Sequence, residues 1–198
     1  MTRTILLLDN YDSFTHNLLH LLQQVRPEYR YRTIRNTSTQ LFSITPAALI
    51  IGPGPMTPAE TGLLNNYFQN TIKPKNIPTL GVCLGMQYLG FEAGLSVTKS
   101  TLPAHGAAIE INHNTTDIFT GLPTPTIGAR YNSLEIASKT IPANHSIEVL
   151  ATAQENGAVM ALRHKKRPHV GVQFHPESFL TTKGHQIIDN FFQYYVEI

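Results

Sequence analysis

The sequence predicts an α/β fold in which a mostly parallel sheet lies between two layers of helices. Three short apolar runs support this prediction, because each is followed by a polar loop and then by apolar residues at helical spacing. Successive strand–loop–helix units make neighbouring strands parallel, and ligands of such sheets bind beyond the carboxyl ends of the strands. We therefore expect the functional site in the loops that follow these apolar runs.

The first unit begins with a strand at residues 5–8, which is apolar throughout and is followed by a polar cluster at residues 9–13. Asp12 or Ser13 is predicted to cap the next helix, and Pro27 to end it. The apolar face of that helix consists of Phe14, Leu18, Leu21, Leu22 and Val25.

Two further units have the same order. A strand at residues 47–51 and a loop at residues 52–58 precede the second helix, and a strand at residues 79–82 precedes a sharp turn at residues 83–85 and a helix that begins at Met86. The apolar face of the second helix consists of Leu63, Leu64, Tyr67, Phe68 and Ile72.

The rest of the sequence no longer alternates between strands and helices, and it ends in one more helix. Short apolar stretches predict a meander of strands at residues 107–111, 127–133, 147–152, 159–163 and 170–174. The apolar stripe of the last helix consists of Ile187, Ile188, Phe191, Phe192 and Tyr195. Since the sequence has no repeat or linker and 41% of its 198 residues are apolar, we expect residues 1–198 to form a single domain.

The composition excludes several classes of partner. The net charge is +2 and 14% of the residues are charged, so we predict no nucleic-acid binding. A membrane span needs about 20 apolar residues, and no apolar run in the sequence approaches this length. The run at residues 5–8 is also shorter than the core of a signal peptide, which has at least roughly 7 residues. Both observations predict a cytoplasmic protein. His164 and His169 have no accompanying third ligand, so we expect neither a metal nor a cofactor in this chain.

Cys83 is the single cysteine, and glycine stands two positions before and two positions after it at a predicted strand end. This is the spacing of a nucleophile elbow, in which the glycines let strand and helix approach closely. A position at a helix amino terminus also favours a thiolate. A buried structural cysteine is the alternative, and the spacing alone does not decide between the two.

His175 and Glu177 follow the last apolar stretch and favour the reactive cysteine. Pro176 between them is expected to hold the segment extended, so that both side chains point the same way. A carboxylate that accepts the Nδ1 proton of imidazole leaves Nε2 free to take a proton from a thiol. A solvated loop is the alternative. The loop at residues 52–55 has glycines that can present N–H groups to an oxyanion, an ordinary tight turn being the alternative there.

Three segments in this order resemble the class I (triad-type) glutamine amidotransferases: Gly-Pro-Gly-Pro at residues 52–55, Gly-Val-Cys-Leu-Gly-Met-Gln at residues 81–87, and Val-Gln-Phe-His-Pro-Glu-Ser at residues 172–178. Residues 9–15, Asp-Asn-Tyr-Asp-Ser-Phe-Thr, resemble the opening signature of the branch that serves anthranilate synthase and aminodeoxychorismate synthase. The likeness extends from residue 5 to about residue 192, and it implies a flavodoxin-like three-layer fold.

This resemblance implies a role for each matching residue. Cys83 would attack the side-chain amide of L-glutamine, His175 would pass a proton to the departing ammonia, and Glu177 would orient His175. The backbone N–H groups of Leu84 and Gly54 would hold the oxyanion. Glutamine would contact the loop at Gly52, Pro53 and Gly54, the Gln87 side chain, and the backbone of Ser133 and Leu134, and Leu84 would bind it through the oxyanion.

The resemblance also implies a glutaminase subunit that supplies ammonia to the large subunit of a chorismate-using synthase, which makes anthranilate, aminodeoxychorismate or both. Three residues depart from the family pattern: Met86 and Asn132 stand in place of histidines, and Ala107 stands in place of a lysine near His105. The first two bear on coupling and the last on partner recognition. The alternatives are a stand-alone hydrolase of γ-glutamyl amides and a non-catalytic glutamine-sensing subunit.

Overall fold

The computed structural model describes residues 3–197. Its strands are β1 Thr4–Asp9, β2 Arg30–Arg35, β3 Ala48–Ile51, β4 Thr79–Val82, β5 Thr98–Lys99, β6 Ala107–His113, β7 Thr126–Arg130, β8 Leu134–Glu135, β9 Ile147–Ala153, β10 Val159–His164 and β11 His169–Val172. Its α-helices are α1 Thr15–Val25, α2 Leu64–Tyr67, α3 Leu84–Glu92 and α4 Gly184–Phe191. Helices α2 and α4 continue as π-helical turns at Phe68–Ile72 and Phe192–Val196. Short 3₁₀ turns lie at Thr39–Ser43, Pro58–Glu60, Asp117–Phe119 and Ser138–Thr140.

Strands from both halves of the chain join one nine-stranded sheet, in the order β2-β1-β3-β4-β11-β10-β9-β6-β7. Its first five strands in this order are parallel neighbours, and the other four extend the sheet by antiparallel pairing. Strands β10 and β6 run against the direction shared by the rest, so the sheet is mostly parallel, as predicted. Strands β5 and β8 form a separate antiparallel pair.

The sheet separates two apolar cores, and alternate residues of a strand face opposite sides. In β1, Ile5 and Leu7 pack into the core that includes the buried faces of α1 and α4, whereas Leu6 and Leu8 pack into the core that includes α2 and α3. A strand covered by helices on both faces is apolar at every position, because neither face is left to water. The predicted three-layer arrangement is therefore confirmed.

The three predicted strand–loop–helix units are present with small shifts at their boundaries. Helix α1 begins after Phe14, which occupies the cap position. The backbone N–H of Phe14 donates to the Asp12 side chain at 2.8 Å. Asp12 therefore satisfies one free N–H group at the start of the helix, although it lies two residues before the cap position. Helix α3 begins at Leu84 rather than at Met86, because Cys83 alone makes the turn.

The predicted meander is wrong in its order, and three strands were missed, namely β2 and the short pair β5 and β8. Strand β6 lies between β9 and β7, and β11 returns to the middle of the sheet, where it is parallel to β4. The strand predicted at residues 127–133 ends three residues earlier than expected, at Arg130. Strand β2 escaped prediction because its Arg30–Arg35 sequence is polar and mostly exposed, as is common at a sheet edge.

Within residues 3–197, every helix is too short or too polar to pass through a lipid bilayer.

Candidate active site

Cys83 forms the turn between β4 and α3. Its φ of 54° and ψ of −105° are strained for a residue with a Cβ atom. The glycine that follows two positions later makes this turn possible, since a Cβ at Gly85 would lie 2.2 Å from the carbonyl oxygen of Ile51. The structure thus contains the strained strand-to-helix turn that the glycine spacing predicted.

A cavity of about 280 Å³ adjoins Cys83, whose exposed fraction is 7%. Its volume is near the lower end of the range for small-molecule sites and suits a ligand the size of an amino acid. The cavity is lined by Gly54, Pro55, Met56, Thr57, Cys83, Gln87, Tyr131, Asn132, Ser133 and Leu134. Four of the residues assigned by resemblance to glutamine binding, Gly54, Gln87, Ser133 and Leu134, therefore surround one space next to the sulfur.

His175 and Glu177 form a buried pair near the cavity, where the ring of His175 contacts that of the lining residue Tyr131. The distance from His175 Nδ1 to Glu177 Oε1 is 2.6 Å, and both side chains are almost completely buried. The expectation of an extended segment is wrong, because Ser178 N–H donates to the His175 carbonyl at 3.2 Å and closes a turn. Proline is favoured at the second position of such a turn, where Pro176 stands. The turn, rather than an extended chain, brings imidazole and carboxylate together.

The charge of this pair follows from its surroundings. Burial by itself would lower the pKa of His175, but hydrogen bonding and the negative charges of Cys83 and Glu177 outweigh it and raise the pKa to about 10. His175 is therefore a cation at neutral pH. Its Nε2 is buried and makes no hydrogen bond of good geometry among the described residues, so it is free to exchange a proton on the Cys83 side.

Two aromatic rings confine the imidazole. The ring centroids of Phe14 and Tyr131 lie 5.5 and 5.0 Å from that of His175, each in an edge-on arrangement, and 4.9 Å from one another. Rings in these positions exclude water and limit rotation of the histidine. Neither residue was predicted to lie at the site, because the sequence does not show that the start of α1 and the end of β7 meet here.

The loop at residues 52–54 is tied to the sheet by a buried pair of asparagines. Asn10 Nδ2 donates to the Gly52 carbonyl at 2.8 Å, and Asn36 Nδ2 donates to Asn10 Oδ1 at 2.9 Å. A Cβ at Gly54 would lie 2.6 Å from the Leu84 side chain, so the backbone at Gly54 packs directly against the first residue of α3. Asn10 was missed as a site residue, although its place in the polar cluster after β1 is a usable signal.

The loop at residues 131–134 is held in place by the side chain of Arg130, which is fully buried. Its Nε donates to Asn132 Oδ1 at 3.0 Å and its Nη2 to the Leu102 carbonyl at 2.8 Å. Asn132 Nδ2 in turn donates to the Leu134 carbonyl at 2.8 Å. The residue that departs from the family histidine thus connects Arg130 to the Leu134 side of the cavity.

The other two departures lie outside the cavity. Met86 is fully buried in the core beside Gly171, where a Cβ at the glycine would lie 2.9 Å from the methionine. Ala107 begins β6 and pairs with Arg130 across the sheet. Gly52 and Pro53, which were assigned to glutamine binding, are buried and do not line the cavity.

Comparison with known proteins places the chain among enzymes of one family. The model of the glutamine amidotransferase class I family matches residues 6–194. Anthranilate synthase component 2 of Pseudomonas putida is 39% identical, with 94% of this chain and 95% of that protein covered. Aminodeoxychorismate synthase component 2 of Serratia marcescens is also 39% identical, with 94% and 98% covered.

A longer relative and a solved structure extend these findings. The bifunctional protein TrpGD of Thermotoga maritima is 34% identical over 96% of this chain, which spans only 32% of that relative's length. A solved structure from Thermoplasma acidophilum, described as a GMP synthase subunit, superposes with a TM-score of 0.82 at 25% identity and covers 98% of this chain and 94% of its own. The chain belongs to the class I glutamine amidotransferase family.

Proposed function

We propose that this chain is a glutaminase subunit that hydrolyses L-glutamine through Cys83, His175 and Glu177 and passes the ammonia to the large subunit of a chorismate-using synthase. The product of that synthase is anthranilate, aminodeoxychorismate or both. The observation that carries the proposal is the strained Cys83 at the edge of an amino-acid-sized cavity, beside a buried imidazolium–carboxylate pair. The continuous sheet supports treating residues 1–198 as one domain.

The first half of the reaction forms a thioester. The Cys83 thiolate attacks the side-chain amide carbon of glutamine, and the electron pair of the C=O bond moves to oxygen, where the Leu84 and Gly54 N–H groups bind the oxyanion. His175 Nε2 then gives its proton to the amide nitrogen. The electron pair on the oxyanion re-forms the C=O bond as the C–N bond breaks, so that ammonia leaves, the thioester remains on Cys83, and neutral His175 stays hydrogen-bonded to Glu177.

The second half of the reaction restores the enzyme. Neutral His175 takes a proton from water as the water oxygen attacks the thioester carbon. Collapse of the second oxyanion breaks the C–S bond and returns the electron pair to sulfur. Glutamate leaves, and the thiolate and the imidazolium are again in place.

Glu177 acts only through His175. Its carboxylate is fully shielded from water, and Oε2 has no hydrogen-bond partner among the described residues. A carboxylate that is poorly solvated interacts strongly with the adjacent imidazolium, because the local dielectric constant is low. It therefore stabilises the protonated form of His175 that departing ammonia requires.

A partner subunit is needed to keep ammonia from being protonated in water. The loops around the site expose apolar side chains suited to an interface: Phe179, two residues after Glu177, is 91% exposed, and Tyr11 and Leu102 are also exposed. The names of the Pseudomonas and Serratia relatives, each of which is component 2 of a synthase, support the same assignment.

Steady-state kinetics test the proposal. The purified chain is assayed for glutamate formation alone, and then with the large subunit of anthranilate synthase or of aminodeoxychorismate synthase plus chorismate. We expect slow turnover alone and faster turnover with at least one partner. Full turnover without a partner would favour the stand-alone hydrolase, and no turnover under any condition would favour the glutamine-sensing subunit.

A further inference from the structure

The side-chain amide of Gln173 lies against the nucleophilic sulfur. Its Nε2 is 3.5 Å from Cys83 Sγ, within the range of N–H···S hydrogen bonds. The side chain is fully buried, although it carries two polar atoms. A buried amide at this place has a cost unless its atoms are paired, so its partners are informative.

The neighbours of Gln173 determine which end of its amide faces the sulfur. Gln87 Nε2 lies 3.0 Å from the Leu134 carbonyl oxygen and 2.9 Å from Gln173 Oε1. Because a carbonyl oxygen can only accept, the Gln87 atom that faces it must be the NH₂ group. The Gln173 atom that faces this NH₂ group must then be its oxygen. The NH₂ group of Gln173 is thereby directed at Cys83.

We propose that Gln173 is a catalytic hydrogen-bond donor that stabilises the anionic sulfur of Cys83. The proposal rests on the proposed function only in taking Cys83 as the nucleophile. Cys83 is almost closed to water, so a thiolate there must be stabilised by protein groups. His175 supplies charge from one side, and Gln173 supplies a donor that stays in place through both halves of the reaction.

The donor acts on the leaving group as well as on the resting thiolate. When the second oxyanion collapses, the C–S bond breaks and its electron pair moves to Sγ. The proton of the attacking water is by then on His175 Nε2. A hydrogen bond from Gln173 to the sulfur stabilises the charge as it forms, and therefore favours the release of glutamate.

Gln87 is the positioning residue for this donor. Both of its amide protons are used, one on Leu134 and one on Gln173, so it holds the Gln173 amide in a single orientation. The chain of contacts runs from the cavity wall at Leu134 to the sulfur.

Alkylation of Cys83 by iodoacetamide tests the proposal, because Cys83 is the only cysteine in the chain. Gln173→Met keeps the approximate size of the side chain and removes the donor. We expect alkylation at pH 7 to be about tenfold slower than in the wild type, the usual effect of a hydrogen bond to a charged group, and the difference between the variant and the wild type to narrow at higher pH. Gln193→Met, at an exposed site bonded to Asp189, is the matched control and should leave the rate unchanged.

A second variant covers the case in which Gln173→Met does not fold. Gln173→Glu keeps an acceptor for Gln87 but, as a carboxylate, places negative charge beside the sulfur, so alkylation at pH 7 should again fall about tenfold or more. Wild-type rates in the folded variant, or a loss that is equal at every pH, would overturn the proposal. Since alkylation needs neither glutamine nor a partner, this result is independent of whether the chain serves a synthase.

Discussion

Cys83, His175 and Glu177 place two negative groups on either side of one imidazolium in a site that is almost closed to water. The low dielectric constant there strengthens each attraction, which is why the pKa of His175 lies well above its ordinary value despite burial. The phenyl ring of Phe14 and the phenol ring of Tyr131 keep water away. If these three residues are the catalytic groups that we propose, the reactive form of the site depends on all three together, and we expect the removal of one to change the others.

Cys83→Ser should abolish glutamine-dependent synthesis by the complex of this chain with its synthase and leave ammonia-dependent synthesis largely intact, because the thiolate is needed only to release ammonia. The measurement is product formation with glutamine or with an ammonium salt as nitrogen donor. A glutamine-like chloroketone should label Cys83 in the wild type. Near wild-type glutaminase activity in the variant, or label on another residue, would contradict the assignment of the nucleophile.

Glu177→Gln should slow the glutaminase step by at least about tenfold, because a neutral amide no longer stabilises the imidazolium of His175. The pKa of His175 should fall in this variant, since one of the two negative charges that raise it is gone. Steady-state kinetics and NMR titration of His175 measure the two effects. Glu28→Gln, on the exposed surface, is the control. A loss below about threefold would leave Glu177 with a structural role only.

Among the secondary-structure elements, those that carry the site were the most predictable. The β1, β3 and β4 strands are continuous apolar runs, and a run of this kind followed by glycine or polar residues has few other interpretations. The order of the later strands was not predictable. The order depends on which edges of the sheet are free when β6, β7 and β9 to β11 pair. The sequence of a single strand contains no information about these edges.

The elements also show why part of the site escaped prediction. Cys83, His175 and Glu177 lie within motifs that carry their own chemistry, so short segments are enough to identify them. Asn10 and Gln173 act through partners distant in the chain, on the loop after β3 and at the start of α3. Both residues lie in segments that resemble the family, but only the packing of the elements brings their partners together and shows what their side chains contact.

Gly85→Ala should disrupt the junction between β4 and α3. The new Cβ would lie 2.2 Å from the Ile51 carbonyl oxygen, a backbone atom that cannot move without displacing β3. We expect a loss of about 2 kcal/mol or more in the free energy of unfolding, and a large loss of glutaminase activity. Denaturant titration and kinetics measure these losses.

Gly90→Ala in the same helix is the matched control for this prediction. There a Cβ would lie 2.4 Å from Ile136 Cδ1, the far end of a flexible side chain that can turn away. Alanine is also the better helix former, so stability should change little. Equal losses in the two variants would show that the close approach of α3 to β3 is not what excludes a side chain at Gly85.

The stability of the whole molecule should depend on pH through His169, which begins β11 and is buried against Phe68. Burial, the main cause, and the nearby His164, Arg167 and Lys73 side chains lower its pKa from 6.5 to about 4, while Glu92 opposes them. The unfolded chain therefore binds a proton between these pH values that the folded chain does not bind. The stabilisation is present above pH 6.5 and is lost as the pH falls toward 4.

This linkage predicts that lowering the pH from 7.5 to 5 costs about 2 kcal/mol of unfolding free energy through His169 alone. Over this pH range, the free energy of unfolding should therefore fall by about 2 kcal/mol less in His169→Leu than in the wild type. At pH 7.5 the variant should be no less stable, because His169 Nε2 is buried without a hydrogen-bond partner among the described residues and leucine removes an unpaired polar atom. Urea titrations at the two pH values measure the difference. His16→Leu, on the exposed face of α1, should respond to pH as the wild type does. If His169→Leu and the wild type lost equal stability on acidification, another group would be responsible for the acid sensitivity of the fold.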